Sequence, residues 1–186
     1  MTKSNSSRQL KHYTPATDGK DHINISHNAT TELGILLAHF TESHFTHPYL
    51  GPFECIEGYW HYVRAATPDD RLRILTGKDA YTYGSALPHI KRRYFRDILM
   101  DGNFQKIKEN ARLRELLVES SLPFAQYYLF GPERIPINQK TAPWLLDDFE
   151  DLRDIFQKGD DSEFEITPYE KYLIISGQRE TPGDSR

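Results

Sequence analysis

The chain has 186 residues, of which 38% are hydrophobic and 12% aromatic, and its formal net charge is −4. That length fits one domain able to bury a core without covalent staples, and the charge does not recommend nucleic acid or an anionic membrane as the main partner. No apolar run approaches the ~20 residues of a membrane span, and the single cysteine, Cys55, leaves neither an internal disulfide nor a cysteine-based zinc site.

The N-terminal run Met-Thr-Lys-Ser-Asn-Ser-Ser lacks the apolar segment of a secretory signal, so the expected location is cytoplasmic. Residues 1–22 carry no apolar period and read as a disordered tail, as do residues 177–186. Residues 23–176 then form one domain.

Leu33, Leu36, Leu37 and Phe40 follow the i, i+3, i+4, i+7 spacing of a helix, and Ile56, Tyr59, Trp60 and Val63 repeat it. Thr67 and Pro68 read as an N-cap and first helical position, with Asp69 and Asp70 in the first turn and Gly77 as the stop. A longer helix is predicted from about Ile90 to Ile107. Within it Gly102 costs about 1 kcal/mol relative to Ala unless close packing needs the missing side chain. Leu113, Leu116 and Leu117 mark a short helix after Asn110. Leu145, Phe149, Leu152 and Phe156 mark the last long one, ending at Lys158 and Gly159. Its acids, Asp147, Asp148, Glu150, Asp151 and Asp154, read as a solvated face. Strand signals are few, the best being residues 171–175 and 164–166. The expected class is mainly α, with a small β element.

On the second helix Glu57, His61 and Arg64 fall within about 60° of one another at 100° per residue, and Trp60 separates them from the apolar stripe. An acid, an imidazole, a cation and an aromatic face on one border suit acid/base work on an anionic, ring-containing ligand. The same spacing is also what a solvated charged helix face shows. His39, His44 and His47 have neither a His-Glu-x-x-His pattern nor a cysteine partner, so no metal site is expected. The basic run His89-Ile90-Lys91-Arg92-Arg93, at the start of a predicted helix, could hold phosphate or form a solvated turn.

The segment Ile56-Glu57-Gly58-Tyr59-Trp60-His61-Tyr62-Val63-Arg64-Ala65 resembles the NADAR family of YbiA-like N-glycosidases. Glu57 stands for its Glu, Tyr59 and Trp60 for its aromatics, and Arg64 for its Lys. Leu37-Ala38-His39-Phe40 stands where the family has Leu-Ser-Asn-Phe. Ala80 to Gly84 resembles its Ala-x-x-x-Gly, and Ile98-Leu99-Met100, Lys106-Ile107 and Leu113 to Leu117 resemble its later signatures. The likeness covers roughly residues 25–157. The chain departs from the pattern at Lys91–Arg93, where the family has a Trp, near Gln126, where it has an acid, and at Phe130-Gly131, where it has Trp-Gly.

The resemblance implies a single YbiA-like helical domain with a small β element, and places residues 37–40 in a strand-to-loop region. It implies a divergent member that hydrolyses an N-glycosidic bond to a phosphorylated ribose or ADP-ribose, with no metal or redox cofactor. The ligand would be a phosphoribosyl or ADP-ribosyl small molecule or an ADP-ribosylated macromolecule. Glu57 would be catalytic. His39, Trp60, His61, Arg64, Lys91, Arg92, Arg93 and Phe130 would bind substrate, with Tyr59 a further candidate for stacking on the base. The other reading is a catalytically degenerate member that binds ADP-ribose, a nucleotide or a protein partner without turnover.

Overall fold

The computed structural model describes residues 13–92, 94–130, 135–138 and 142–159. Six helices and six short strands make up that part of the chain. In chain order they are β1 (Ile23–Asn24), α1 (Glu32–Leu37), β2 (Phe45–His47), β3 (Gly51–Phe53), α2 (Ile56–Arg64), α3 (Gly77–Ser85), α4 (Phe95–Glu109), α5 (Ala111–Glu119), β4 (Phe124–Ala125), β5 (Tyr127–Phe130), β6 (Ile135–Asn138) and α6 (Trp144–Lys158). The mainly helical expectation holds.

Helix α2 is the centre of the molecule. Its N-cap is Cys55, whose Sγ accepts the amide hydrogen of Gly58. Its apolar stripe of Ile56, Tyr59 and Val63 is fully buried. Tyr59 meets Phe53 edge-on at 5.1 Å and Phe45 at 5.7 Å, the residues that face each other across the antiparallel β2–β3 hairpin. Its hydroxyl donates to the Ile98 carbonyl at 2.9 Å. A Cβ on Gly102 would stand 2.5 Å from Cε1 of Tyr59, so α4 approaches α2 only because that residue has no side chain.

Two sequence-distant strands, β1 and β4, meet in a parallel pair, with Ile23 opposite Phe124 and Asn24 opposite Ala125. Asn24 extends the pairing with its side chain: Oδ1 accepts from the Tyr127 amide at 3.0 Å, and Nδ2 donates to the Tyr127 carbonyl at 3.3 Å. The stretch read as a tail packs on the domain from residue 13 onward. His22 is buried and shares a 2.9 Å hydrogen bond with the Tyr127 hydroxyl, while Asp18 accepts from the amides of Asn24 and Thr30. Polar side chains that satisfy backbone donors leave no apolar period to read.

Other boundaries move. Helix α1 ends at Leu37 and Ala38 is extended, so the predicted helix stops three residues short of Phe40; of the residues implied to run from strand to loop, Ala38 to Phe40 form a loop and Leu37 is helical. Residues Asp70–Arg73 form only a 3₁₀ turn, with Asp69 accepting from the Arg71 amide, and Gly77 begins α3 instead of closing a helix. Helix α4 starts at Phe95, five residues later than predicted. Helix α6 and its left-handed Gly159 stand as read. Its acidic face is only partly solvated, because Asp148 is buried against Arg96 at 2.6 Å. The strand candidates at 164–166 and 171–175 lie outside the described residues. No helix among the described residues is long and apolar enough to cross a membrane.

Candidate active site

A cleft of about 690 Å³ opens beside the polar strip of α2. One wall is α2 itself, through Glu57, Trp60, His61 and Arg64. The segment after β1 (Ile25 to His27) and the loop after α1 (Ala38 to Phe40) add a second wall. Helix α3, with Tyr81 and Ser85, and the following His89 form a third, and Gln126, Tyr128, Ala142 and Leu145 complete it.

Glu57 sits in the first turn of α2, where the helix dipole favours an anion. Its amide donates to the His39 carbonyl at 3.0 Å, tying the helix start to the α1 loop. Its Oε1 lies 3.2 Å from Nε2 of His61, one turn along, and both residues are buried. Nδ1 of His61 lies 3.4 Å from Nε2 of His89, which is itself 3.0 Å from the Gly84 carbonyl. Burial first, then the charge of Arg64, lowers the His89 pKa below the ordinary imidazole value.

Trp60 packs edge-on to Phe95 at 4.8 Å and parallel to Trp144 at 6.5 Å, so its plane is fixed while it borders the cleft. The Arg64 guanidinium lies 5.6 Å from the ring centres of both Trp60 and Phe95. His39 faces Trp60 at 5.9 Å. Its Nε2 is sealed from solvent without a hydrogen-bond partner, and burial, aided by the positive charge of Lys106, pushes its pKa down to about 3. A neutral imidazole therefore looks onto the cleft.

Four of the residues named from sequence do not join them. Tyr59 is wholly buried and cannot stack on a ligand. Arg92 turns back to the carbonyls of Val63 and Ala65, capping α2 with its guanidinium. Lys91 is exposed and outside the cleft lining. Phe130 lies on the same face of β5 as Tyr128 but beyond the cleft, 68% exposed. Arg93 lies outside the described residues. His44 pairs with Glu54 at the surface, and Nδ1 of buried His47 accepts the amides of Tyr49 and Leu50. His89, expected with the basic run 89–93 to hold phosphate, lines the cleft beside His61, and Gln126, expected only as a departure from the family pattern, lines it too; Tyr81 and Tyr128 are cleft residues that pattern reading did not single out, since only the tertiary fold brings them to α2.

The NMR structure of the E. coli protein YbiA is similar to this chain, with a TM-score of 0.56 over 82% of this chain and 98% of YbiA, at 13% sequence identity. This is a YbiA-like fold. No protein-family model and no curated protein sequence matches the chain. The YbiA-like fold gives α2 its central place and leaves its polar strip at the cleft, so the solvated-face reading of that strip falls: Glu57 and His61 are buried.

Proposed function

We propose that this chain is a divergent NADAR-type N-glycosidase, acting on a phosphorylated ribose or ADP-ribose joined to a base. The observation that carries the reading is a buried carboxylate, Glu57, in the wall of an aromatic cleft, with Arg64 one further turn beyond its partner His61.

Hydrolysis breaks the bond between the anomeric carbon and the base nitrogen, and the electron pair leaves with the nitrogen. Positive charge develops on the sugar, and a carboxylate fixed beside it lowers that barrier. Water's oxygen bonds to the anomeric carbon. Glu57 accepts the water proton, and a proton is returned to the departing nitrogen. Arg64, the one Lys or Arg side chain among the described cleft-lining residues, holds phosphate. Trp60, Tyr81 and Tyr128 offer faces for the base.

The second reading, a binder without turnover, is favoured by Gln126. It lines the cleft where the family resemblance places an acid, and an amide cannot serve as that acid. Incubation with ADP-ribosylated DNA, ADP-ribosylated protein and riboflavin-pathway intermediates, followed by mass detection of products, separates the two. Release of a free base by wild type and its loss, by about 10²–10³ in rate, in Glu57→Gln is the expected result. ADP-ribose binding with no cleavage of any of these would leave the binder reading standing.

A further inference from the structure

We infer that His61 and His89 act in series as positioning residues for Glu57, with the Gly84 carbonyl setting the tautomer of both rings. This deepens the proposed glycosidase reading and rests on it only for the consequence in turnover.

A carbonyl oxygen can only accept, so Nε2 of His89, 3.0 Å from the Gly84 oxygen, carries its ring's hydrogen. The same N–H faces Nδ1 of His61 at 3.4 Å, which must then be an acceptor. In a neutral ring that leaves the hydrogen of His61 on Nε2, directed at Oε1 of Glu57 at 3.2 Å. Three groups in line thus fix one oxygen of Glu57 by a donor whose orientation is decided two residues away. The two rings are inclined by 25° with centres 5.4 Å apart.

The seat for this chain is built. A Cβ on Gly84 would lie 2.2 Å from Cγ of His61, so the ring occupies the space a side chain would fill. His89 is held by the bridge between its own segment and Ala65, with the Ile90 amide on the Arg64 carbonyl. The groups facing the pair are Glu57 and Arg64 from α2, Tyr81 (6.1 Å from the His61 ring) and Ser85 from α3, and Tyr128 from β5. A hydrogen on Nδ1 of His61 would meet the N–H of His89 and break the series at its middle.

The test is long-range ¹H–¹⁵N spectroscopy of histidine-labelled full-length protein, with His61 and His89 assigned by His61→Asn and His89→Ala. The expected result at neutral pH is the Nε2–H tautomer for both rings. His61 should shift to a mixture in His89→Ala, and His89→Gln, which keeps an N–H donor, should restore it. Finding His61 in the Nδ1–H tautomer in wild type, or unchanged in His89→Ala, overturns the inference without any substrate. Should a glycoside be cleaved, His89→Ala is expected to lower kcat about tenfold with KM little changed, and to be partly rescued by His89→Gln. Normal tautomers with no turnover of any glycoside would count against the glycosidase reading and leave the positioning pair intact.

Discussion

The ammonium of Lys106 donates to the carbonyl of Ala38 at 3.0 Å, inside the protein and next to the loop that carries His39. Burial pulls the Lys106 pKa from 10.5 down to about 7. Between about pH 7 and 10.5 the unfolded chain therefore holds a proton that the folded chain has released. Stability should rise with pH across that window, and the penalty should be fully present below it. Lys106→Met should flatten this part of the profile, as read by urea melts at pH 6, 8 and 9.5. An unchanged slope would show that Lys106 keeps an ordinary pKa.

His39 works in the acid range with the same sign. Its folded pKa is about 3 against 6.5 for a free imidazole, so the unfolded chain takes up a proton first as pH falls. Stability is lost progressively below about 6.5, because charging an imidazole whose Nε2 is sealed, beside Lys106, is unfavourable. Thermal melts of wild type and His39→Gln between pH 4 and 7 should converge at the acid end. Parallel curves would remove His39 as the cause.

Gly102→Ala should destabilise the fold although alanine is the better helix former. The added methyl collides with the Tyr59 ring, which is locked between Phe53, Phe45 and the Ile98 carbonyl. Overpacking of this kind costs about 1–3 kcal/mol, more than the ~1 kcal/mol gained in propensity. Denaturant melts decide the sign, and a stabilised variant would mean that α4 can shift away from α2.

Arg64 and Arg92 should separate cleanly. By calorimetry with ADP-ribose, Arg64→Ala should weaken binding by about 1.5–3 kcal/mol, the worth of a charge-assisted hydrogen bond. Arg92→Ala should instead lower stability, because it uncaps the Val63 and Ala65 carbonyls, and leave affinity near wild type. Equal affinity losses in both variants would return Arg92 to the site.

Arg96→Ala should cost about 2 kcal/mol in stability. It strips the partner from Asp148, whose carboxyl burial already drives upward in pKa. Asp148→Asn is the control: a neutral amide there should lose less than Arg96→Ala does, measured by thermal melting.

What could be read in advance follows from where the determining forces lie. Helix α6 was legible because its stripe runs four turns and a left-handed glycine ends it. The polar strip of α2 was legible because helical geometry alone puts Glu57, His61 and Arg64 side by side. The Thr67–Gly77 segment was not, since Asp69 uses its carboxylate to close a 3₁₀ turn where a longer helix would start similarly. Strands of two to four residues are too short to show a period, and residues 13–22 are ordered by hydrogen bonds to sequence-distant groups. Arg92 looked like a phosphate ligand because charge is visible in a sequence and its direction is not.

The parallel pair of β1 with β4 also orders events in time. Ile25, Ser26 and His27 leave the ribosome early, yet the strand that holds them in place finds its partner only at Phe124, and Gln126 and Tyr128 arrive just behind it. A growing chain can assemble α2, α3 and their buried histidine contacts while one wall of the cleft is still being synthesised. Closing so long a loop is slow relative to local helix packing. The wall that carries Gln126, Tyr128, Ala142 and Leu145 is thus the last part of the binding surface to leave the ribosome, and a nascent chain halted before residue 124 should hold no ligand.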